Sequence, residues 1–424
     1  MTMKIRSGWL ALVASVAMGA TATLADVPKL SHSIVLDDLD NPWDMAFLDD
    51  GTMFYTEKCN GLSVMMPSGD KKALLGMSGS SGYDSSADDL FCEGQAGMMG
   101  VAVDPDFDSN RRIYVYSTSK MSTPHTNRLM RFEVSDDFSS VSNRTDIIDD
   151  VPYKMKASAH PFGGPGAHNG GRVRFNPADG YLYLTTGDTH NGRVPQSPTM
   201  MGSKVIRVDT DGTAAAGNAP PVGFDKRTFT YGHRNVQGIA FHPGSGNAIT
   251  AEHGPWHSDE VTVLRNGGNA GWDPRPRRLG RASCPDDYCG YTPNQMVGLN
   301  RFQRAAYMPM TDFKSFPAAM PPIWNNNGWS QGTSSAAFLE GDAWGDWNGS
   351  MVLGIMGIGF GGTPLGARIE VLTLNEEGSD LDAVTSMTLP DGMEEGRFRS
   401  VVLGPDGSLY AAVDGGTIHK ITPE

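Results

Sequence analysis

The hydrophobic and polar positions of this chain follow one repeated pattern. An apolar run leads into a turn rich in Asp, Gly or Pro, and a second, alternating run follows. The copies begin at Met45, Val101, Val173, Ile239, Ala336 and Val401. Alternation with a period of two predicts strands, and Asp-Gly and Asn-Gly turns suit the positive backbone angles of tight hairpins. Each copy therefore predicts a β-hairpin.

Six hairpins along one chain predict an all-β fold. An antiparallel sheet must bury a face, and repeated sheets do so by stacking radially around an axis. We therefore expect a six-bladed β-propeller of four-stranded antiparallel blades with long loops on one face. Two stacked sandwiches are the alternative, which the repetition disfavours. The longest insertion, residues 268–335, is a place to look for binding residues.

The first 25 residues have the features of a targeting signal. Lys4 and Arg6 precede an apolar run that ends in small residues at Ala25. This pattern predicts a cleaved secretory signal peptide over residues 1–25 and one catalytic propeller domain over residues 26–424. A membrane anchor is the alternative, although the run is barely long enough and rich in Ala, Ser and Thr. We expect a periplasmic or secreted protein with no integral membrane segment.

The charge of the chain disfavours a polyanionic partner. Its formal net charge is −14, and loss of Lys4 and Arg6 with the signal peptide would make it −16. Nucleic acid requires a basic surface, so no nucleic-acid partner is expected. A small acidic ligand would need a local cationic pocket.

Four cysteines fit an exported protein. Their even number predicts two disulfides, and Cys284–Cys289 is a plausible local pair. The pair Cys59 and Cys92 lacks the spacing of a zinc or haem site, and so does the pair Cys284 and Cys289.

Several polar motifs precede the hairpins, which would place them at one end of a propeller. Arg397 and Arg399 would share one face of a strand, where they repel unless solvated or bound to an anion. With Arg234 they would suit a ligand with several carboxylates or phosphates. His168 is either a structural histidine or a general base. Gln95 and Asn235 are candidate ligand-binding residues only because their motifs occur together with these charged motifs.

The segment HGPWHSDEV offers oxygen ligands. The carbonyls of Gly254 and Pro255 and the carboxylates of Asp259 and Glu260 would suit calcium, although an ordinary turn explains the segment equally.

The ordered motifs resemble the glucose/sorbosone dehydrogenase family, the soluble sugar dehydrogenases that use pyrroloquinoline quinone (PQQ). The motifs are EGQAGMMG, HNGGR, GHRNVQG, EHGPWHSDE, GGNAGW and RFR, and the resemblance runs from about Leu36 to the C-terminus. It implies a six-bladed propeller with PQQ and Ca²⁺ as cofactors. It also implies oxidation of the anomeric hydroxyl of an aldose to a lactone, with hydride transfer to PQQ.

The resemblance implies roles for particular residues. His168 would be the base that removes the hydroxyl proton, and Arg234 would stabilise charge on the quinone oxygen. The cofactor would be held by Gln95, His168, Arg234, Asn235, Gly254, Pro255, Arg397 and Arg399. Calcium would bind the Gly254 and Pro255 carbonyls, with a second, structural calcium at Glu260 and the Ala270 carbonyl. Gln95 and Trp329 would contact the sugar.

The chain departs from some members of this family. Ala167 stands where some have an aspartate before the histidine. The fifth blade lacks the lysine that contacts PQQ in some glucose-active members, and Arg368 is only a loose substitute.

Two other functions remain open at this point. A lactonase-like propeller hydrolase would use a central calcium and a ring of Asp, Asn and Glu, and a non-catalytic propeller would be a binding module. The leading hypothesis needs an electron acceptor, whether a quinone, a cytochrome or another redox protein. The protein would be a monomer or a homodimer.

Overall fold

The computed structural model describes residues 27–155, 164–275, 303, 306–358, 366–393 and 396–424. The predicted signal peptide and the pair Cys284 and Cys289 lie outside these residues. Within them, no helix has the length and apolar character needed to cross a membrane.

The strands of the described residues form six sheets, which we call blades 1 to 6. The N-terminal strand is β1 (Leu30–Leu36). Blade 1 contains β2 (Pro42–Phe47), β3 (Met53–Glu57), β4 (Gly61–Met65), β5 (Lys71–Met77) and β6 (Ser85–Ala87). Blade 2 contains β7 (Met98–Val103), β8 (Arg112–Ser119), β9 (Thr126–Val134) and β10 (Val141–Pro152). Blade 3 contains β11 (Gly170–Phe175), β12 (Leu182–Thr186), β13 (Lys204–Val208) and β14 (Thr228–Tyr231).

The second half of the chain continues in the same order. Blade 4 contains β15 (Val236–Phe241), β16 (Ala248–Glu252), β17 (Glu260–Val263) and β18 (Trp324–Asn325). Blade 5 contains β19 (Thr333–Phe338), β20 (Met351–Ile355), β21 (Arg368–Leu374) and β22 (Leu381–Ser386). Blade 6 contains β23 (Phe398–Leu403), β24 (Leu409–Val413) and β25 (Thr417–Pro423). A short helix, α1 (Phe107–Asn110), and a 3₁₀ helix (Asp342–Trp347) lie in connections.

The six predicted hairpins are confirmed as the two innermost strands of each blade. In the first, Gly51 takes a positive φ of 91° and its N–H donates to the Leu48 carbonyl. Met45 on β2 and Met53 on β3 are buried beside this turn. The inner strands β2, β7, β11, β15, β19 and β23 contact one another in this order and close a ring. The prediction of a six-bladed, all-β propeller is thereby confirmed.

Two blades differ from the simple repeat. Blade 6 is completed by β1, which pairs antiparallel with β25, so the two ends of the chain close the ring together. Blade 1 has a fifth strand because β6 pairs parallel with β5 and covers its outer edge. Neither strand carries the hairpin pattern, so the repeat alone does not reveal them.

The hydrophobic core is divided among the interfaces between neighbouring blades. Phe54 and Leu62 of blade 1 pack with Val115 and Met130 of blade 2, for example. Comparable clusters join every adjacent pair of blades, including blades 6 and 1. Each sheet buries both faces against its neighbours, so the blades stabilise one another only as a ring.

An ion pair between Arg172 and Asp44 lies where the inner strands converge. Both side chains are buried, and they form a salt bridge and hydrogen bond. The guanidinium of Arg172 also donates to the Gln237 carbonyl at 3.0 Å, the Ser334 carbonyl at 3.1 Å and the Ser400 hydroxyl at 2.9 Å. This one side chain on β11 therefore binds residues of blades 1, 4, 5 and 6.

Asp44 extends the same network to the remaining blade. Its Oδ2 accepts the N–H of Val101 in blade 2 at 3.2 Å, and Arg174 donates to both carboxylate oxygens. Burial alone would raise the pKa of Asp44, but Arg172 and Arg174 outweigh it and hold the pKa below its ordinary value. All six blades are thus hydrogen-bonded to one buried ion pair.

We expect Arg172→Met to lower the free energy of unfolding by about 3–5 kcal/mol, because it leaves Asp44 buried without its main counter-ion. The matched control is Arg227→Met, which breaks two partly exposed pairs, with Asp150 and Asp225, and costs about 1 kcal/mol or less for each. Urea unfolding followed by circular dichroism measures both. Equal, small losses in the two variants would contradict the central role of Arg172.

Candidate functional site

A cavity of about 450 Å³ opens at one end of the propeller, where the inner strands begin. Its walls include residues just before or at the start of five inner strands: Gln95, His168, Arg234, Asn235, Ser330, Gly332, Arg397 and Arg399. Such a volume suits an organic ligand of moderate size. The prediction that these motifs share one end of the fold agrees with this arrangement.

The walls of this cavity are strongly cationic. Of the described residues that line it, four are lysine or arginine, and none is aspartate or glutamate: Lys58, Arg234, Arg397 and Arg399. The chain as a whole has a net charge of −14. A concave cationic site in an acidic protein concentrates anionic ligands.

His168 is held in one orientation by Asp188. The Nδ1 of His168 lies 2.7 Å from Oδ1 of Asp188, and the side chain is buried. The other carboxylate oxygen accepts the indole N–H of Trp272 at 2.8 Å. A carboxylate only accepts hydrogen bonds, so His168 must carry a proton on Nδ1. In its neutral form, Nε2 is then the basic atom.

A second histidine covers that basic atom. The Nε2 of His190 lies 2.7 Å from the Nε2 of His168, and the two rings meet edge to face. Because His168 can only accept at Nε2, neutral His190 must donate its own Nε2 proton. Burial, followed by repulsion from His168 whenever that ring is protonated, holds the pKa of His190 well below its ordinary value, so His190 stays neutral.

The two glycines of HNGGR let this backbone approach its neighbours. Gly170 has a φ of 65°, and a Cβ there would lie 2.5 Å from the Cα of Thr186. A Cβ on Gly171 would lie 3.0 Å from the ring of Trp43. His168, Thr189 and His190 also have φ values of 52° to 56°, unusual for residues other than glycine. Such strained backbone is concentrated at functional sites.

Ala167, where some relatives have an acid, is fully buried next to His168. The orienting carboxylate for the histidine comes from Asp188, after β12. An acid next to His168 in sequence is therefore not needed to orient its ring. In the sequence, Asp188 is the acidic residue of the TTGD run that ends the third hairpin, which is the pattern that could have identified it.

The motif GHRN is fixed by a buried glutamate at the end of β16. One oxygen of Glu252 accepts the backbone N–H groups of Arg234 and Asn235, and the other binds Nδ1 of His233. The guanidinium of Arg234 donates to the His253 carbonyl at 3.0 Å and lies above the ring of Trp272. Asn235 uses its side-chain oxygen to bind the Gly170 N–H, which joins two neighbouring blades.

Two buried polar atoms on the cavity wall lack a partner among the described residues. They are Nε of Arg234 and Nε2 of His253. Burial lowers the pKa of His253 to about 4, so its ring is neutral. Buried polar atoms without partners are rare, and at a concave site they indicate a ligand that supplies the missing contacts.

Arg397 and Arg399 share one face of the inner strand, as predicted. Both donate to Asp414 on the turn after β24, Arg397 at 3.0 Å and Arg399 at 2.7 Å. Burial alone would raise the pKa of Asp414, but Arg399 and Arg397 outweigh it and lower the pKa. One carboxylate for two guanidiniums explains how they tolerate each other, and it leaves a net positive charge at the cavity.

The predicted calcium ligands fall into two groups. Gly254 lines the cavity, while the buried Pro255 does not. A Cβ on Gly254 would lie 2.2 Å from the carbonyl oxygens of both His257 and Ser258, so this turn crowds main-chain oxygens together. Both carboxylate oxygens of Asp259 already accept hydrogen bonds, from the N–H groups of Gly254 and Gln331 and from the hydroxyl of Thr333.

Glu260 and Ala270 are both buried away from the cavity. The carboxylate of Glu260 accepts from Thr311 at 2.8 Å and Asn325 at 3.1 Å, and burial raises its pKa to about 8. The N–H of Ala270 donates to the Tyr231 carbonyl. In the described part of the chain, no cluster of three or more His, Cys, Asp or Glu side chains could hold a metal ion.

Trp329 and Arg368 lie outside the cavity. Both line a separate hollow of about 630 Å³ beside β18 and β21, and Trp329 is 44% exposed. Arg368 binds Glu370 and, at 2.7 Å, the side chain of Gln331. Arg368 therefore does not replace a cofactor-binding lysine of the fifth blade. Contact between Trp329 and a substrate remains a prediction.

The cavity also contains residues that the motifs did not indicate. His190 and Lys58 line the cavity, and Asp188, which does not line it, orients His168. The loop that carries Asp188 and His190 is tied by Lys204, whose buried ammonium donates to the carbonyls of Val194, Pro195 and Gly202. Lys58, His190 and Lys204 are isolated residues outside the ordered motifs, so the sequence offers little signal for them.

Comparisons with known proteins agree with this geometry. The model of the Glucose / Sorbosone dehydrogenase family matches residues 39–279. Aldose sugar dehydrogenase YliI of Escherichia coli (strain K12) is 25% identical over 409 residues, which is 95% of this chain and 96% of that protein. Quinoprotein glucose dehydrogenase B of Acinetobacter calcoaceticus is 26% identical over 303 residues, 62% of this chain and 59% of that protein.

A solved structure shows the same fold. The PQQ-bound form of aldose sugar dehydrogenase from Streptomyces coelicolor superposes with a TM-score of 0.65 and 22% identity, over 94% of this chain and 99% of that one. At this identity the similarity supports the propeller fold.

We expect nitrogen NMR at pH 8 to find the proton of His168 on Nδ1 and that of His190 on Nε2, because Asp188 can only accept. The signals can be assigned with His168→Gln and His190→Gln variants. A His168 ring with its proton on Nε2 would contradict this hydrogen-bond pattern. Loss of the Nδ1 preference in Asp188→Asn would support it.

We also expect Lys204 to make stability depend on pH. Burial lowers its pKa from the ordinary 10.5 to about 7. Between these values the unfolded chain binds a proton that the folded chain does not, so this residue makes the free energy of unfolding rise with pH. The difference between wild type and Lys204→Met should therefore grow in favour of the wild type from pH 7 to 9. The exposed Lys226→Met is the control, and a flat difference for Lys204→Met would contradict the assignment.

Proposed function

Because this chain belongs to the glucose/sorbosone dehydrogenase family, we propose that it is a PQQ- and calcium-dependent sugar dehydrogenase. It would oxidise the anomeric hydroxyl of an aldose to a lactone. The prediction of an oxidoreductase is confirmed by the family. The observation that carries the finer proposal is a cationic cavity with no carboxylate among its described wall residues and an oriented histidine base.

The residues of the cavity fit PQQ, a planar quinone with three carboxylates. Arg397 and Arg399 outnumber their carboxylate partner Asp414, so they retain donors for an anion. The buried Nε of Arg234 lacks an acceptor within the described chain, which a quinone or carboxylate oxygen would supply. Gln95 and Asn235 would complete the cofactor site.

The cofactor, when bound, would supply the acceptor for the two electrons that leave the sugar. The protein would supply the base and the electrostatic field. His168 would accept the anomeric hydroxyl proton at Nε2, and Asp188 would stabilise the resulting imidazolium through Nδ1. For this to happen, the sugar hydroxyl must take the place of the His190 N–H. Arg234 would stabilise negative charge beside the base.

Calcium would bind the carbonyl oxygens of Gly254 and Pro255, since hard oxygen donors suit this ion. The carbonyl oxygens of His257 and Ser258 also lie beside Gly254, so the turn brings further hard donors close to this position. A second calcium would bind at Glu260 and the Ala270 carbonyl. The donor chemistry supports it, because Glu260 is a buried carboxylate with only neutral donors hydrogen-bonded to it in the described chain.

The two alternatives have weaker support. A calcium-dependent hydrolase would use carboxylates at the mouth of the channel, and the described cavity wall has four cations instead. A non-catalytic binding module would not require the buried chain of hydrogen bonds from Trp272 through Asp188 to His168.

We also propose that residues 1–25 are a signal peptide and that the enzyme acts in the periplasm or outside the cell, with a separate electron acceptor.

The proposal is tested by purifying the protein without cofactor, adding PQQ with or without calcium, and screening aldoses for dye reduction. We expect activity that requires both additions. PQQ binding to the metal-free protein is measured separately by titration calorimetry. If PQQ neither binds nor yields activity with any aldose, the proposal is wrong.

We expect His168→Ala to lower turnover by about 10²–10⁴-fold, the usual loss for a general base, while leaving PQQ affinity nearly unchanged. The double variant Arg397→Met/Arg399→Met should do the opposite and weaken PQQ binding first. If His168→Ala weakens PQQ binding as much as the double variant does, the histidine has a structural role.

A further inference from the structure

Lys58 is a cation on the cavity wall that belongs to none of the motifs. It follows β3 in blade 1, and its Nζ donates to the Gly94 carbonyl at 3.0 Å, beside Gln95. Across the cavity wall it lies close enough to Arg399 for their charges to repel. In the described chain, no carboxylate accepts a hydrogen bond from this ammonium.

The surroundings of Lys58 disfavour its positive charge. Burial and then the charge of Arg399 lower its pKa, although Asp414 and Asp40 act in the opposite direction. Asp414 is already hydrogen-bonded to Arg397 and Arg399. A lysine kept beside an arginine without its own counter-ion is unfavourable in the free protein, and an anion bound between the two would relieve the repulsion.

The turn that carries Lys58 is firmly fixed. Its N–H donates to the Asn41 carbonyl at 3.1 Å, and its own carbonyl accepts the N–H of Met98 at 2.9 Å. The next residue, Cys59, forms a disulfide with Cys92, which ties this turn to the loop leading to Gly94 and Gln95. The lysine is therefore held against the predicted cofactor-binding loop rather than extended into solvent.

We propose that Lys58 binds a carboxylate of the same polycarboxylate ligand as Arg399, as a cofactor-binding residue supplied by blade 1. This inference rests on the proposed function, because that ligand would be PQQ. The disulfide Cys59–Cys92 then serves the site by holding Lys58 and Gln95 on one rigid unit. Cations from blades 1, 4 and 6 would surround the cofactor.

The test is calorimetric titration of PQQ into the cofactor-free protein, with calcium present, for wild type, Lys58→Met and Lys58→Arg. We expect Lys58→Met to weaken PQQ binding by about 10- to 100-fold, the range for loss of a hydrogen bond between charged groups. Lys58→Arg should retain most of the affinity. The control is Lys71→Met, which removes an exposed lysine of the same blade and should change nothing.

A second measurement separates a binding role from a structural one. A carboxylate that binds Lys58 raises its pKa, so PQQ binding should be accompanied by proton uptake in the alkaline range where the free ammonium begins to lose its proton. Titrations in two buffers with different heats of ionisation measure this uptake, and Lys58→Met should take up less. If Lys58 has only a structural role, Lys58→Met should take up as many protons on PQQ binding as the wild type does.

The outcomes distinguish the two proposals. If wild type does not bind PQQ, the proposed function is wrong and this inference falls with it. If wild type and Lys58→Met bind PQQ equally, or if they take up the same number of protons on binding, only the role of Lys58 is overturned. If Lys58→Met does not fold, Lys58→Gln, whose amide can still donate to the Gly94 carbonyl, is titrated in its place.

Discussion

The buried ion pair between Arg172 and Asp44 is the constraint on which the rest of this propeller depends. Blades of a propeller have no covalent link across the axis, and their cores lie between neighbours. Hydrogen bonds from this pair reach all six inner strands. Burying two charges is costly unless every donor and acceptor is used, and here the geometry of six converging strands uses them.

The cavity follows from that closure. Once the inner strands meet at Arg172, the residues that precede them face one another at a single end of the ring. Arg172 comes four positions after His168 in the same motif, so one short segment provides both the central arginine and the candidate base. The rigid axis therefore fixes the position of the histidine relative to the cations of blades 4 and 6.

The electrostatics of this end differ sharply from those of the whole chain. Carboxylates near the cavity are present, but they lie behind its wall: Asp188 binds His168, Glu252 binds the GHRN backbone, and Asp414 binds the two arginines. Each carboxylate orients groups that face the ligand while leaving the wall itself cationic. This arrangement suits an anionic cofactor and a neutral substrate, and it gives the histidine a partner for its positive charge.

The sequence by itself determined the repeat, and hence the blade count, because strand alternation and turn chemistry are local properties that each hairpin carries. It also determined the ordered motifs, and with them the family. Only the tertiary structure decided which strand closes blade 6, which acid holds His168, and that His190 and Lys58 reach the cavity while Trp329 and Arg368 do not. The reason is physical: these facts depend on contacts between segments far apart in the chain, and no local pattern of residues encodes the distance between them.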